Sequence, residues 1–223
     1  MVVAVVPARA EGGRIGDTVR AIRTIPEIDE VVVVTNGPDD GTAAEANAAG
    51  ARVLIAPDRT GKGDAVEGAL RRIPPAGHVL FLDGDLGPSA KHAGELLAAV
   101  VAGRADLAVA AFPRDRRHGG FGLVKRLARA LIRAATGVRV TEPLSGQRAA
   151  SRAVVDSVRP IAPGFGMEVG MTIDALRAGH RVVEIALPME HAYTGRDLPG
   201  FLHRARQGLD ALRAALPRLL RLR

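Results

Sequence analysis

Short β-branched runs alternate with helical stretches through the first half of the chain. Val2 to Val6, Val31 to Val34, Arg52 to Ile55, His78 to Leu82 and Asp106 to Ala111 read as strands. Between them, Arg14 to Arg23, Thr42 to Ala49, Lys62 to Arg72 and Ser89 to Ala102 read as helices, with Thr42 and Ser89 as N-caps. The alternation predicts an α/β fold whose central sheet is mostly parallel and flanked by helices. In such sheets ligands bind beyond the carboxyl ends of the strands. Glu11, Asn36, Asp39, Asp40 and Asp83-Gly84-Asp85 all fall there.

The second half is less regular. Pro113 to Gly122 is basic and rich in glycine, and reads as a loop. Phe121 to Ala135 has the period of an amphipathic helix with Lys125, Arg126, Arg129 and Arg133 outward. Glu142 to Ala150 reads as a loop and strand, Phe165 to Ala178 as a helix, Arg181 to Ala186 as a last strand and Leu198 to Leu216 as a closing helix. With no repeat or linker, one domain over 1–223 is expected, divided into a nucleotide-binding half (1–112), an acceptor and sugar half (113–197) and a basic amphipathic C-terminal helix (198–223).

Composition narrows the function classes. At 47% apolar and 25% charged residues the chain has the balance of a globular protein rather than a disordered one. The absence of cysteine excludes disulfides, thiolate zinc sites and cysteine nucleophiles, and fits a reducing cytoplasm. No apolar run is long enough to span a bilayer, and Met1 to Val6 lacks the basic flank of a signal peptide. The formal charge of +7 invites a nucleic-acid partner. Aromatics at 3% leave few stacking platforms for bases, however, so diphosphate-bearing substrates or anionic lipid make better use of the charge.

The apolar run Val79 to Leu82 ends in Asp83-Gly84-Asp85-Leu86. Two carboxylates this close raise each other's pKa unless a cation or strong donors hold them ionised. Hard oxygen ligands suit Mg²⁺ or Mn²⁺, which bridge to substrate phosphates. A pair of helix-capping or surface-turn acids is the plainer alternative. Lys62, between two glycines at an expected helix start, has the makings of an anion contact, although the spacing is not that of a Walker loop.

The ordered set Val5-Val6-Pro7-Ala8-Arg9-Ala10-Glu11, Val33-Val34-Thr35-Asn36-Gly37-Pro38-Asp39-Asp40, Gly61-Lys62-Gly63 and Asp83-Gly84-Asp85 resembles the nucleotide-sugar half of family 2 glycosyltransferases of GT-A fold. The resemblance continues through Pro143 to Ala149 and Gly164-Phe165-Gly166-Met167-Glu168, and Pro143 to Ala149 followed by Ala162 to Gly170 is also similar to glucosyl-3-phosphoglycerate synthases. Polyprenyl-phosphate sugar synthases share the first-half pattern. Two departures stand out: Arg9-Ala10 where an aromatic and an asparagine are common, and Thr35-Asn36 where an Asp-Asp pair usually reads base and ribose.

The resemblance implies a GT-A (nucleotide-diphospho-sugar transferase) fold and a metal-dependent hexosyltransferase. The donor would be a nucleoside diphosphate sugar, contacted by Pro7, Ala8, Glu11, Asn36, Lys62, Asp83 and Arg196. The divalent metal would sit on Asp85, Asp83 and His191, with Asp85 the direct ligand. Glu168 would be the acidic group facing the acceptor, either as base or as an orienting group, with Glu142 second to it. Ser145, Gly146, Gln147 and Arg148 would shape the acceptor or sugar pocket. The acceptor would be a small molecule such as a phosphoglycerate, or a lipid phosphate, with no nucleic acid involved. Residues 201–223 are compatible with a packed helix or with peripheral membrane association at the inner face, and a homodimer is also compatible. Two other classes stay open: a nucleotidyltransferase, expected to carry a glycine-rich, lysine-containing first loop, and a non-catalytic basic binding module.

Overall fold

The computed structural model describes residues 1–35, 40–57, 61–112, 122–189 and 198–220, with side chains of the last segment described from 205 onward. Seven strands form one sheet in the order β3-β2-β1-β4-β6-β5-β7. They are β1 (Val2–Ala8), β2 (Glu30–Thr35), β3 (Arg52–Ile55), β4 (His78–Phe81), β5 (Leu107–Ala111), β6 (Arg148–Ser151) and β7 (Val182–Ala186). All neighbours pair in parallel except at β6, which runs antiparallel to both β4 and β5. The sheet is therefore mostly parallel, as the alternating pattern predicts.

β1 is apolar at nearly every position because both of its faces are covered. Val2, Ala4, Val6 and Ala8 enter one core with Ile15, Val19, Ile22, Leu96 and Leu97. Val3 and Val5 enter the other with Val66, Leu70, Val154, Met167 and Met171. The first core belongs to α1 (Ile15–Arg23), α2 (Thr42–Ala48) and α4 (Gly94–Val101), the second to α3 (Lys62–Leu70), α6 (Arg152–Val158) and α7 (Met167–Arg177). Each fully buried valine contributes on the order of 1.5 kcal/mol or more. A third, smaller core joins α5 (Leu123–Thr136), α7 and α8 (Leu198–Leu219) through Ala128, Ile132, Val169, Ile173, Ala211 and Ala215.

Several local expectations are corrected. Gly41, not Thr42, caps α2, in a left-handed conformation at φ 85°. The helix expected over Ser89 to Ala102 is divided: Gly87–Ala93 is a 3-10 helix with Pro88 in its first turn, and α4 starts only at Gly94. Ser89 is inside that turn, donating its hydroxyl to the Leu86 carbonyl. α6 is an unexpected helix; Ser151 caps it by accepting from Val154 N at 3.4 Å. On α5, Arg126 and Arg133 are exposed as expected, but Lys125 and Arg129 turn back to Glu142 and the Thr141 carbonyl.

Candidate active site

Chain reversal at β6 builds the site. β4 ends at Phe81, and the antiparallel register sets Arg148 opposite Phe81. The residues just before β6 therefore lie beside those just after β4. Gln147 Nε2 donates to Asp83 Oδ2 at 2.9 Å across 64 positions of sequence. Between them Gly146 presses so close that a Cβ would lie 2.4 Å from Lys62 Nζ and 2.7 Å from Asp83 Oδ2. Gly146 thus leaves room for an ion pair.

Lys62 Nζ lies 2.5 Å from Asp83 Oδ1 and 2.8 Å from Glu168 Oε1. Burial by itself would lower the lysine's pKa, but the charges of Asp83 and Glu168 and their hydrogen bonds outweigh it and hold the ammonium well above the usual lysine range. The flanking glycines have a different reason from the flexible anion loop that the sequence suggests. A Cβ on Gly63 would sit 1.9 Å from the Ala162 carbonyl oxygen, and one on Gly61 3.0 Å from Gly164 Cα. Glycines here let α3 pack backbone to backbone on residues 162–164, which carries Lys62 to Glu168 at the start of α7.

The Asp83-Gly84-Asp85 turn is pinned from the opposite side. Thr18 Oγ1 donates to the Gly84 carbonyl and accepts from Gly87 N, both at 2.8 Å. A Cβ on Gly84 would come within 3.1 Å of Ala8 Cβ and 3.3 Å of Glu11 Cγ. The end of β1, with Pro7 and Ala8, thus lies against the acidic turn. Glu11 follows Ala10, a non-glycine residue at φ 58°, and its N–H donates to Thr42 Oγ1 at 3.0 Å. Gly12 and Gly13 donate to Asp40 and Glu45. Thr42 hydrogen bonds hold Asp40 below the usual carboxylate range.

Glu11 is pushed up to about 7, first by burial and then by the charge of Asp85, with Asp83 and Asp40 adding and Arg14 opposing. Glu11, Asp83 and Asp85 together leave negative charge that a cation would relieve. Among the described residues no cluster of three His, Cys, Asp or Glu could by itself hold a metal. Asp85 fits a divalent cation that keeps waters and substrate oxygens as its other ligands. Asp83 fits the first ligand position less well, since its two oxygens are engaged by Lys62 and Gln147.

Two expected pocket residues belong elsewhere. Arg148 is fully buried rather than facing a ligand: its guanidinium donates to Ser145 O at 2.7 Å, Thr172 Oγ1 at 2.9 Å and Pro143 O at 3.5 Å. Burial draws its pKa down to about 10, only partly offset by Glu168, Glu184 and Asp83, so it remains charged at neutral pH. Glu142 pairs with Lys125 at 2.5 Å and gives its N–H to Glu184, which draws it toward α5 and β7. Ser145 Oγ and Gln147 Oε1 are buried without a hydrogen-bond partner. Asn36, His191 and Arg196 lie outside the described residues, as does the loop over 113–121.

Sequence reasoning missed the joining roles of Thr18 and Gly84, which no local motif announces. A depression of about 350 Å³ lined by Arg23, Asp29, Glu30 and Arg52 sits at the amino ends of β2 and β3, away from this chemistry. Its arginines are already directed at Glu30 and at the Ala49 and Gly50 carbonyls.

The model of the family described as glycosyl transferase family 2 matches residues 3–155. Glucosyl-3-phosphoglycerate synthase of Mycolicibacterium paratuberculosis is 32% identical over 194 residues, covering 76% of this chain and 58% of that protein. The chain thus matches little more than half the length of that relative. Glycosyltransferase AglJ of Haloferax volcanii is 31% identical over 153 residues, 67% of this chain and 50% of that one. Among solved structures, glucosyl-3-phosphoglycerate synthase of Mycobacterium tuberculosis in complex with Mn²⁺, uridine-diphosphate-glucose and phosphoglyceric acid superposes with a TM-score of 0.77 at 29% identity, covering 96% of this chain and 79% of that one.

Proposed function

The chain belongs to glycosyl transferase family 2, and on that premise we propose that it moves a hexose from a nucleoside diphosphate sugar to a phosphate-bearing acceptor, with a divalent cation on Asp85. One observation carries this reading: Asp83, Lys62, Gln147 and Glu168 meet in one hydrogen-bonded group at the carboxyl ends of β1 and β4, with Glu11 and Asp85 beside it. The mycobacterial enzyme in complex with uridine-diphosphate-glucose and Mn²⁺ supports a uridine nucleotide and glucose as the first donor to test.

When bound, the cation supplies neutralising charge for the leaving diphosphate. The chain's own residues do the rest. Lys62 gathers Asp83 and Glu168 into one ion-paired group and supplies positive charge for the diphosphate. Gln147 fixes the rotation of the Asp83 carboxylate, leaving Asp85 toward the cation. Glu168, in the first turn of α7, accepts a hydrogen bond from a sugar or acceptor hydroxyl. Arg148 acts through the backbone by clamping the 143–145 turn to α7. His191 and Arg196 are proposed as further metal and phosphate contacts. Ser145 Oγ and Gln147 Oε1 are acceptors that a hydroxyl or ordered water would satisfy.

The acceptor chemistry shared by a phosphoglycerate and a polyprenyl phosphate is a phosphate monoester, and both are candidates. The nucleotidyltransferase alternative is less favoured. Its first loop should present a lysine to the α-phosphate, whereas here that loop presents Glu11 and the lysine comes from α3. A thermal-shift screen of nucleoside diphosphate sugars with and without Mn²⁺ tests the donor assignment. Stabilisation by uridine-diphosphate-glucose only with the metal supports it, and no stabilisation by any such donor overturns it.

A further inference from the structure

α8 is amphipathic in an unusual sense. Its inward side chains are small, with Ala211, Ala214 and Ala215 buried beside Arg218, whose guanidinium pairs with Asp174 of α7 at 2.5 Å. Its outward face carries a row of large apolar side chains. Leu209, Leu212 and Leu216, with Leu220 just past the helix end, are 46%, 41%, 57% and 60% exposed. Their spacing of three, four and four residues aligns them in one stripe. Arg206 and Arg213 are exposed at the edge of that stripe, Arg213 retaining 70% of its side-chain surface although Asp210 lies 3.7 Å away. A helix facing only water would carry such leucines inward and leave polar groups outside.

We propose that this face of α8 rests on an anionic lipid bilayer, the four leucines entering the interface and Arg206 and Arg213 meeting headgroup phosphates. Charge selects the bilayer over a second copy. A chain of formal charge +7 repels its own copy, and a twofold pairing through the stripe would bring the same arginines together, whereas anionic lipid attracts both. The position of α8 adds to this. On its inner side Asp210 Oδ2 accepts from Phe165 N at 3.2 Å, and a Cβ on Gly166 would lie 2.8 Å from Ala214 Cβ. α8 therefore braces the turn that leads into Glu168. Docking through its outer face sets that turn one helix layer from the headgroups, within reach of a lipid-phosphate acceptor. This surface goes beyond the transferase reading and stands apart from it, apart from the choice of acceptor.

The test is vesicle co-sedimentation of the full chain without substrate, using phosphatidylglycerol mixed with phosphatidylcholine against phosphatidylcholine alone. Binding to the anionic vesicles is expected, falling on the order of tenfold or more in Leu212→Gln/Leu216→Gln. Arg206→Gln/Arg213→Gln should remove the preference for phosphatidylglycerol. Unchanged thermal melting shows that both variants fold, and Mn²⁺-dependent nucleotide stabilisation, measured in parallel, reports on the transferase reading separately. The proposal is overturned if wild-type protein ignores anionic vesicles or if the leucine variant binds as well as wild type. It is equally overturned if sedimentation equilibrium shows a dimer that the leucine variant splits.

Discussion

Lys62, the first residue of α3, and Glu168, in the first turn of α7, are joined by a 2.8 Å ion pair, although 106 positions, roughly half the chain, separate them. The pair exists because β6 reverses direction beside β4 and because two glycines let α3 approach residues 162–164. It makes Lys62 the hub that joins the buried Glu168 carboxylate to the half-buried Asp83 carboxylate.

Removing that hub takes away the ammonium paired with both Asp83 and Glu168 and leaves Arg148 as a more distant positive charge. Lys62→Ala should cost roughly 3–5 kcal/mol of stability, the range for breaking a buried pair from one side. Urea denaturation reads this directly. A loss below about 0.5 kcal/mol would show that the carboxylates are solvated rather than held.

Gln147→Leu keeps the shape of the side chain and removes the donor to Asp83. Loss of a hydrogen bond to a charged group is worth about 1.5–3 kcal/mol. If the bond orients Asp83 for the donor, kcat/KM should fall by about tenfold or more while the fold stays intact. Wild-type kinetics in a variant of lowered Tm would assign Gln147 to folding alone.

Gly63→Ala tests why Lys62 is flanked by glycines. The new Cβ would meet the Ala162 carbonyl at 1.9 Å, a backbone atom that cannot rotate away. Both lower stability and weaker donor binding are expected, since α3 must retreat from Glu168. Gly68→Ala, where nothing lies within 4 Å, is the control and should be neutral or slightly stabilising. Equal behaviour of the two variants would restore the flexible-loop explanation.

Much of this was legible in the chain and some was not. The strands of the first half, the acidic turn after β4, Lys62 at a helix start and Glu168 at another could all be read from local pattern. Their meeting could not, because it depends on the antiparallel register of β6, and sequence spacing carries no register between distant strands. The family resemblance places Arg148 with Gln147 among the residues shaping the pocket. In a strand, adjacent side chains point to opposite faces, so Gln147 reaches Asp83 while Arg148 is buried toward Thr172. Ser89 reads as an N-cap, but Gly87 and Pro88 begin a 3-10 turn ahead of it.

Glu11 gives a pH signature. In the unfolded chain it titrates near 4.5 and in the folded, metal-free chain at about 7. Between these values the folded chain retains a proton that the unfolded chain has lost, so this group's contribution to stability falls as pH rises from about 4.5 to about 7. Glu11→Gln should therefore gain stability relative to wild type across that window in the presence of a chelator, levelling off above it. Parallel stability curves for the two proteins would remove Glu11 from the acidic cluster.

The most direct measurement is release of nucleoside diphosphate from uridine-diphosphate-glucose in the presence of a phosphate-bearing acceptor, with Mn²⁺ or with chelator, for wild type and Asp85→Ala. The expected result is turnover that requires the metal and is lost in the variant while its melting temperature is unchanged. Turnover that continues at the wild-type rate in Asp85→Ala, or in wild type stripped of metal, would contradict a cation held by the acidic turn.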